Sequence, residues 1–285
     1  MTTSTLQAGS GFGYTDVAFV DYDHDSVDEI LLAHDEHDTV RLTAYDIAAS
    51  NVEAQLSLDV ATVAHQKFAR MVPADINEDG FPDMIAFTVD GYIDVFDVRN
   101  QTLLWRSSDA TTTAANVDAG DLDGDGKIEI IAASRTTLFV FGHGTQPNTF
   151  VKRAEYGYQP DYGLITDVLV ADTDGNGTPE IYTLNTVDGV SMSVHRFDAQ
   201  LAEQSSFKPD GVVYGLALED IGNSRKNLLL LGKRLRSVDA INGAVVWASP
   251  DLPGSVQRES IHYVDLNGDG RKELSLGGIG MSVTR

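Results

Sequence analysis

The feature that most constrains this chain is a nine-residue acidic segment that returns at a nearly constant interval. Its clearest copy is DLDGDGKIE, from Asp121 to Glu129, with carboxylates at its first, third, fifth and ninth positions. Alternate side chains of a curled loop point toward one centre, and a hard dication prefers about six to eight oxygen ligands. Gly126 suits a sharp bend with positive φ, and the carbonyl of Lys127 can supply a further oxygen. The segment therefore predicts a calcium-binding loop.

Six copies of the segment begin with Asp, and successive copies start 45 to 54 residues apart. A period of this length is typical of propellers and solenoids. The copies start at Asp21, Asp75, Asp121, Asp172, Asp220 and Asp265. Because the pattern recurs, metal binding explains it better than isolated solvated turns. An EF-hand fits less well, since its closing Glu stands at position twelve and precedes a helix.

The residues around each copy are predicted to form β-strands. One apolar strand precedes each segment, for example DVLVA at 167–171, and a continuous apolar strand follows it, for example EIIAA at 129–133. Such continuous runs are typical of strands buried on both faces. A third strand alternates, as in VRLTAY at 40–45 and YIDVFDV at 92–98, and a fourth carries the tryptophans. Four strands per repeat indicate a propeller blade.

The two ends of the chain complete this predicted architecture. The sixth repeat stops at Arg285 after its third strand, and residues 5–10 are placed to supply the missing fourth strand. Closing the ring in this way would remove exposed sheet edges. We therefore predict an all-β fold: a six-bladed β-propeller of four-stranded blades with calcium loops, forming a single domain over residues 1–285 and closed by the N-terminal strand. The alternative is a fragment of a longer propeller.

The segments DYDHDSVDE, DINEDGFPD, DLDGDGKIE, DTDGNGTPE and DLNGDGRKE resemble the FG-GAP or VCBS repeats of integrin-α-like propellers. The resemblance covers nearly the whole chain and implies about five Ca²⁺ sites. The ligands that it implies are Asp21, Asp23, Asp25, Glu29, Asp75, Asn77, Asp79, Asp83, Asp121, Asp123, Asp125, Glu129, Asp172, Asp174, Asn176, Glu180, Asp265, Asn267, Asp269 and Glu273. The first copy departs from the family pattern, because Ser26 stands where glycine is usual. The family includes adhesins, lectins, toxin subunits and polysaccharide lyases, so it implies fold and calcium more specifically than function.

The fifth copy, DIGNSRKNL at 220–228, has lost the ligand set. Its third, fifth and ninth positions hold Gly222, Ser224 and Leu228, none of which offers a carboxylate. Two basic residues follow Ser224, and we expect them to replace the charge of the missing ion beside Asp220.

Composition excludes several classes of function. The formal net charge is -23, from 43 acids and 20 Lys plus Arg, so the basic patches that bind nucleic acid or anionic membranes are not expected. The absence of cysteine excludes disulfides, thiolate metal sites and a cysteine nucleophile. No apolar run is long enough to insert into a membrane. Because millimolar free calcium is an extracellular condition, we expect an extracellular or cell-surface location, in a larger surface or secreted protein whose export signal lies outside this sequence.

The sequence contains no G-x-S-x-G elbow and no H-E-x-x-H helix. The paired carboxylates are explained by calcium, so we expect no catalytic residues among them. The predicted function is a calcium-stabilised recognition or adhesion module that binds a glycan or protein partner. The alternatives are a polysaccharide-processing enzyme with lyase chemistry and a structural spacer domain. An enzyme stays open because a lone His, Tyr or Lys base carries no motif.

The partner is expected on the face opposite the calcium loops. In an up-and-down blade, the calcium loops share one face with the connections between third and fourth strands. The inter-blade connection EYGYQPDYG at 155–163 belongs to the other face and holds Tyr156, Tyr158 and Tyr162. These aromatic rings suit stacking against a sugar or peptide. The alternative is that they pack between the third and fourth blades.

Overall fold

The computed structural model describes residues 14–21, 24, 28–36, 39–46, 51–58, 68–88, 91–100, 102–108, 114–157, 163–222, 224–252, 261–264 and 273–276. The chain divides into two compact units, Met1–Ala110 with Tyr263–Leu274, and Thr111–His262 with Ser275–Arg285. Within the described residues, no helix has the length and apolar character needed to span a membrane.

The first unit contains two four-stranded antiparallel sheets, in which the strands pair in chain order. Their strands are β1 (Tyr14–Val20), β2 (Glu29–Glu36), β3 (Thr39–Asp46) and β4 (Asn51–Leu58), then β5 (Phe68–Ala74), β6 (Asp83–Thr88), β7 (Ile93–Asp97) and β8 (Thr102–Arg106).

The second unit contains three more sheets of the same kind. Their strands are β9 (Ala114–Gly120), β10 (Glu129–Ser134), β11 (Leu138–His143) and β12 (Phe150–Tyr156), then β13 (Leu164–Ala171), β14 (Glu180–Thr186), β15 (Met192–Phe197) and β16 (Glu203–Phe207), then β17 (Val213–Asp220), β18 (Lys226–Gly232), β19 (Leu235–Val238) and β20 (Val245–Ala248). Later in the chain, β21 (Ile261–Val264) and β22 (Glu273–Leu276) form a two-stranded sheet, whose residues 263–264 and 273–274 are grouped with the first unit.

We call each four-stranded sheet a blade and number the blades one to five in chain order. Each blade has one irregularity where its first two strands pair, and a second where its last two strands pair. Because bulges increase local twist, their recurrence gives the blades a common shape. The predicted strands on both sides of every acidic segment are confirmed. The sixth blade and the ring closure stay predictions, since residues 1–13 and 277–285 lie outside the described part.

Burial follows the order of the strands within a blade. The second strands β10 and β14 are buried along their whole length, while the fourth strand β20 is exposed along its whole length. The alternation expected of third strands occurs in β11 but not in β7, which is buried throughout. Both acids of β7 have partners that satisfy a buried carboxylate: Arg106 makes a bidentate ion pair with Asp94, and Asn100 donates two hydrogen bonds to Asp97.

The hydrophobic core of the second unit lies between adjacent blades. One cluster joins blades three and four and includes Ile131, Val168 and Phe197. A second cluster joins blades four and five through residues such as Leu184 and Leu230. Each fully buried side chain of this size contributes about 1.5–3 kcal/mol. Packing between neighbouring blades therefore holds this unit together.

A polar chain also links the first strands of blades three, four and five. The buried carboxylate of Asp167 accepts a hydrogen bond from the side-chain amide of Asn116 and another, 2.8 Å long, from the amide of Leu216. Asp118 accepts the amide of Val170 at 2.9 Å. At Gly120 the next strand is so close that a Cβ would lie 2.7 Å from a methyl carbon of Val170. The first strands of these blades thus meet through hydrogen bonds as well as apolar contacts.

Candidate metal centre

The loop at 121–129 joins β9 to β10 and is organised by its first and last carboxylates. Asp121 accepts the amide of Gly124 at 2.7 Å and that of Gly126 at 2.9 Å. Glu129 accepts the amide of Leu122 at 2.8 Å. These bonds curl the backbone around the carboxylates, as the nine-residue pattern predicts.

This curl brings three acids of the loop together. Asp121, Asp123 and Glu129 can each offer one oxygen such that the three oxygens lie within 4.8 Å of one another. Burial raises the pKa of Glu129 to about 7, against a hydrogen bond from Leu122 that lowers it, and the neighbouring acids raise it further. A dication would favour the charged form of such a carboxylate. The donor set therefore fits Ca²⁺, which prefers carboxylate and carbonyl oxygens.

The loop at 75–83 repeats this arrangement in blade two. Asp75 accepts the amides at loop positions five and six, at 3.1 and 2.9 Å. Asp83 accepts the amides of Ile76 and Asn77, both at 3.0 Å. Burial raises the pKa of Asp83 to about 7, as at the equivalent Glu129. Two loops thus hold a raised-pKa carboxylate at the same closing position.

The loop at 172–180 has the same turn but a different electrostatic environment. Asp172 accepts the amide of Gly177 at 2.8 Å, and Glu180 accepts the amide of Thr173 at 3.2 Å. Here the guanidinium of Arg196 reaches both Glu180 and Asp174, the latter at 3.3 Å. A positive charge of the chain therefore lies among the predicted ligands of this loop.

The loops share an uncommon backbone conformation. Positive φ occurs at loop position four in His24, Glu78, Gly124 and Gly175, and at position six in Gly80, Gly126 and Gly177. Non-glycine residues adopt this conformation at a cost. Its recurrence in loops of different sequence shows that the loops share one turn.

The fifth loop differs from the predicted register. Glu219 pairs with Asn227, whereas in blade three the equivalent Gly120 pairs with Glu129. The fifth loop is therefore one residue shorter, and Asn227, rather than Leu228, stands in place of the closing acid. Three neutral donors contact Glu219: the side chains of Asn227, Ser237 and Trp247. At Asp220, beside which the basic replacement is expected, the structure shows a hydrogen bond from the amide of Gly222 at 2.7 Å.

The remaining predicted ligands lie mostly beyond the described residues. Asp21 and Glu29 are described, and Glu29 is buried at the start of β2. Asp23 and Asp25 lie outside the described residues, as do Asp265, Asn267 and Asp269. Glu273 begins β22. The first and sixth sites therefore stay predictions.

The predicted aromatic ligand site is only partly described. Tyr156 ends β12, and its ring lies 5.0 Å from that of Phe197, against the core cluster between blades three and four. This contact favours packing for Tyr156. Tyr158 and Tyr162 lie outside the described residues.

Comparison with known proteins identifies the type of repeat in part of the chain. Residues 75–132 and 121–183 match the model of the FG-GAP-like repeat. This part of the chain consists of FG-GAP-like repeats. It contains the three loops described above at 75–83, 121–129 and 172–180. Among curated proteins, no sequence matches this chain.

Solved structures share the fold at low sequence identity. BBS1N in complex with ARL6DN, from a crystal soaked with mercury, aligns with a TM-score of 0.59 and 11% identity over 88% of this chain and 84% of that chain. The lead-soaked complex gives 0.58 and 11% over 93% and 92%. The V. cholerae biofilm matrix protein Bap1 gives 0.51 and 14% over 84% of this chain and 39% of its own. The chain is thus an all-β β-propeller of four-stranded blades.

Sequence reasoning missed two basic features. Arg196 lies on β15, opposite Tyr182, where blades two and three have Val95 and Val140. A charged residue at a strand position that is apolar in blades two and three is the signal that could have revealed it. The second feature is the segment KRLR at 233–236, a dense basic run in a chain of net charge -23.

Proposed function

We propose that this chain is a calcium-stabilised recognition module of an extracellular or cell-surface protein, binding a glycan or protein partner. One observation carries the calcium part of the proposal. Loops at 75–83, 121–129 and 172–180 share a carboxylate arrangement, a pattern of backbone hydrogen bonds and positive φ at the same positions. In the clearest loop, Asp121, Asp123 and Glu129 would hold the ion.

The ion would neutralise the clustered carboxylates of a loop and would stabilise the turn between the first two strands of a blade. About five such sites in a six-bladed ring closed by the N-terminal strand complete the proposal. Extracellular calcium modules bind at about 10⁻⁴–10⁻³ M, which is consistent with an extracellular setting.

Recognition is supported by the fold and by its neighbours. Propellers present connecting loops on two faces while the blades provide a rigid scaffold, and binding residues concentrate on such loops. BBS1N is seen in complex with ARL6DN, and Bap1 is a biofilm matrix protein. A partner-binding or matrix role is therefore the function we infer.

The calcium part is tested by counting bound ions. Equilibrium dialysis against about 10 mM calcium, which nearly fills sites of this affinity, followed by elemental analysis should give about five ions per chain, and about one fewer for Asp123→Ala. Glu155→Gln is the matched control, because Glu155 pairs with Lys152 on the surface outside the loop. Fewer than one ion per wild-type chain, or an unchanged count in Asp123→Ala, would contradict the proposal.

The recognition part is tested separately, on glycan and protein arrays with calcium present. Saturable binding to a defined glycan or protein would support it. A chain that binds its calcium but no partner would instead fit the spacer role.

A further inference from the structure

Blade five contains a cavity of about 630 Å³ that none of the acidic loops lines. It lies beside the hairpin between β18 and β19 and the connections that lead into β17 and out of β20. In an up-and-down blade, these connections are at the opposite end from the turn between β17 and β18. The cavity therefore opens on the face where a partner is expected, and its volume is in the range of small-ligand pockets, about 300–1,000 Å³.

The cavity gathers positive charge in a strongly acidic chain. Lys233, Arg234 and Arg236 line it, together with Asp210 and Asp251. Asp251 balances two of these cations, since it pairs with Lys233 at 2.7 Å and also with Arg234. The third cation, Arg236, is not a partner in either of these ion pairs.

Arg236 differs from its two neighbours in its surroundings. Its Nε atom is buried and makes no hydrogen bond to any residue that the structure describes. Burial lowers the pKa of Arg236; Asp210 acts against this, and the charge of Arg234 adds to it. A buried guanidinium donor without an acceptor is costly. Because Arg236 also lines the cavity, an anionic group there would supply negative charge beside this guanidinium.

The rest of the lining indicates what carries that anionic group. Tyr214 is 48% exposed and Val245 is 57% exposed, so the cavity offers a ring and an apolar surface. Asp210 and Asp251 offer acceptor oxygens. A sugar has an apolar ring face for Tyr214 and hydroxyl donors for the two carboxylates. An acidic peptide offers several negative charges, which the same carboxylates would repel.

We propose that the blade-five cavity binds an acidic saccharide, with one carboxylate against Arg236, hydroxyl groups donating to Asp210 and Asp251, and the sugar ring against Tyr214. This inference names the ligand class of the proposed recognition function and rests on that function.

The test uses the full chain in millimolar calcium and a disaccharide of one glucuronate and one neutral hexose, with isothermal titration calorimetry as the measurement. The wild type should bind this disaccharide saturably, and the matching neutral disaccharide at least about tenfold more weakly. Arg236→Gln should weaken binding of the acidic disaccharide about 10- to 100-fold, because it removes a charge-assisted contact.

Two further variants separate binding from folding. Tyr214→Ala changes an exposed side chain and should reduce affinity several-fold without moving the melting temperature. Arg225→Gln is the matched control, because Arg225 is an exposed cation at the other end of the same blade, and it should bind like the wild type.

Several outcomes would overturn the inference. They are no binding by the wild type, equal affinity for acidic and neutral disaccharides, or unchanged affinity in both Arg236→Gln and Tyr214→Ala. Equal binding of a tetraglutamate peptide would reassign the cavity to acidic peptides. If an array ligand binds with an affinity that Arg236→Gln leaves unchanged, recognition stands and the cavity assignment falls.

Discussion

The loops at 121–129 and 172–180 have the same spacing and nearly the same backbone, yet they balance their acids differently. In both, the first Asp accepts the amide of the residue at position six, and the closing Glu accepts the amide at position two. In the second loop, Arg196 contacts Glu180 and Asp174. In the first, the equivalent strand position holds Val140.

The difference teaches that the acidic motif fixes where carboxylates gather but not what neutralises them. A tethered guanidinium and a diffusible dication can both serve that purpose. Arg196 is covalently part of the chain and needs no free ion, whereas the loop at 121–129 has three converging acids and a closing Glu whose pKa is raised to about 7. We therefore expect calcium to bind more tightly at 121–129 than at 172–180.

The largest expected effect comes from removing calcium from all loops together. At about millimolar calcium each site of extracellular affinity adds roughly 0.4–1.4 kcal/mol, so about five sites add several kcal/mol. Chelation should lower the melting temperature by about 5–15 °C, as followed by circular dichroism. Magnesium added back at the same concentration is the control. If chelation leaves the melting temperature unchanged, calcium does not stabilise either loop.

The second test replaces the closing acid of each loop by its amide. Glu180→Gln should lower the free energy of unfolding by about 1.5–3 kcal/mol even in chelator, because Arg196 loses a charged partner. Glu129→Gln should cost little in chelator, since it relieves repulsion among acids, and should lose stability only in calcium. Equal losses for the two variants in chelator would show that the loops do not differ as described.

The third test removes the tethered cation. Arg196→Gln should raise the calcium affinity of the loop at 172–180 about tenfold, because the ion would no longer compete with a guanidinium for Asp174 and Glu180. Terbium luminescence titration of the variant and the wild type can follow this change in affinity. Lys208→Gln, which removes an exposed cation elsewhere in the same unit, should leave the titration unaltered. A fall in affinity for Arg196→Gln would mean that the guanidinium supports the metal site.

The smallest effect concerns loop position four, where both loops above have glycine at positive φ. The loop at 75–83 has Glu78 there, with φ of 61°. Glu78→Gly should stabilise the protein by about 0.5–1 kcal/mol, because glycine adopts this conformation without the steric cost of a Cβ. The reverse change, Gly124→Glu, should destabilise by a similar amount. Urea denaturation measures both, and a loss of stability in Glu78→Gly would contradict a shared turn.

The sequence predicted the strands flanking each loop because two independent signals agree there: a fixed period of acids and continuous apolar runs. It also predicted the turn, since Gly80, Gly126 and Gly177 all adopt positive φ. The calcium ions themselves, the six-blade ring and its closure stay predictions.

Other features were not predicted from the spacing of the acidic segments. In the fifth loop, Asn227 and not the predicted Leu228 occupies the closing position. The loop is one residue shorter, but the apolar residues of β18 fit either pairing register, so the sequence does not reveal the deletion. Arg196 contacts Asp174 and Glu180, which precede it by 22 and 16 residues. Arg236 lines the blade-five cavity. Such contacts depend on how the strands of a blade pair and pack, which spacing alone does not reveal. The burial of β7 was missed for the same reason, because Arg106 pairs with Asp94 from the next strand.

The polar chain through Asn116, Asp167 and Leu216 bears on how the second unit would come apart. Because one buried carboxylate accepts hydrogen bonds from the first strands of both neighbouring blades, a blade cannot separate from its neighbour without breaking a hydrogen bond to a charged group. Blades three to five should then behave as one cooperative folding unit, in contrast to the stepwise unravelling open to repeat arrays with weak neighbour contacts. In hydrogen exchange, the amides of Val170 and Leu216 would therefore report the same opening event although they belong to different blades.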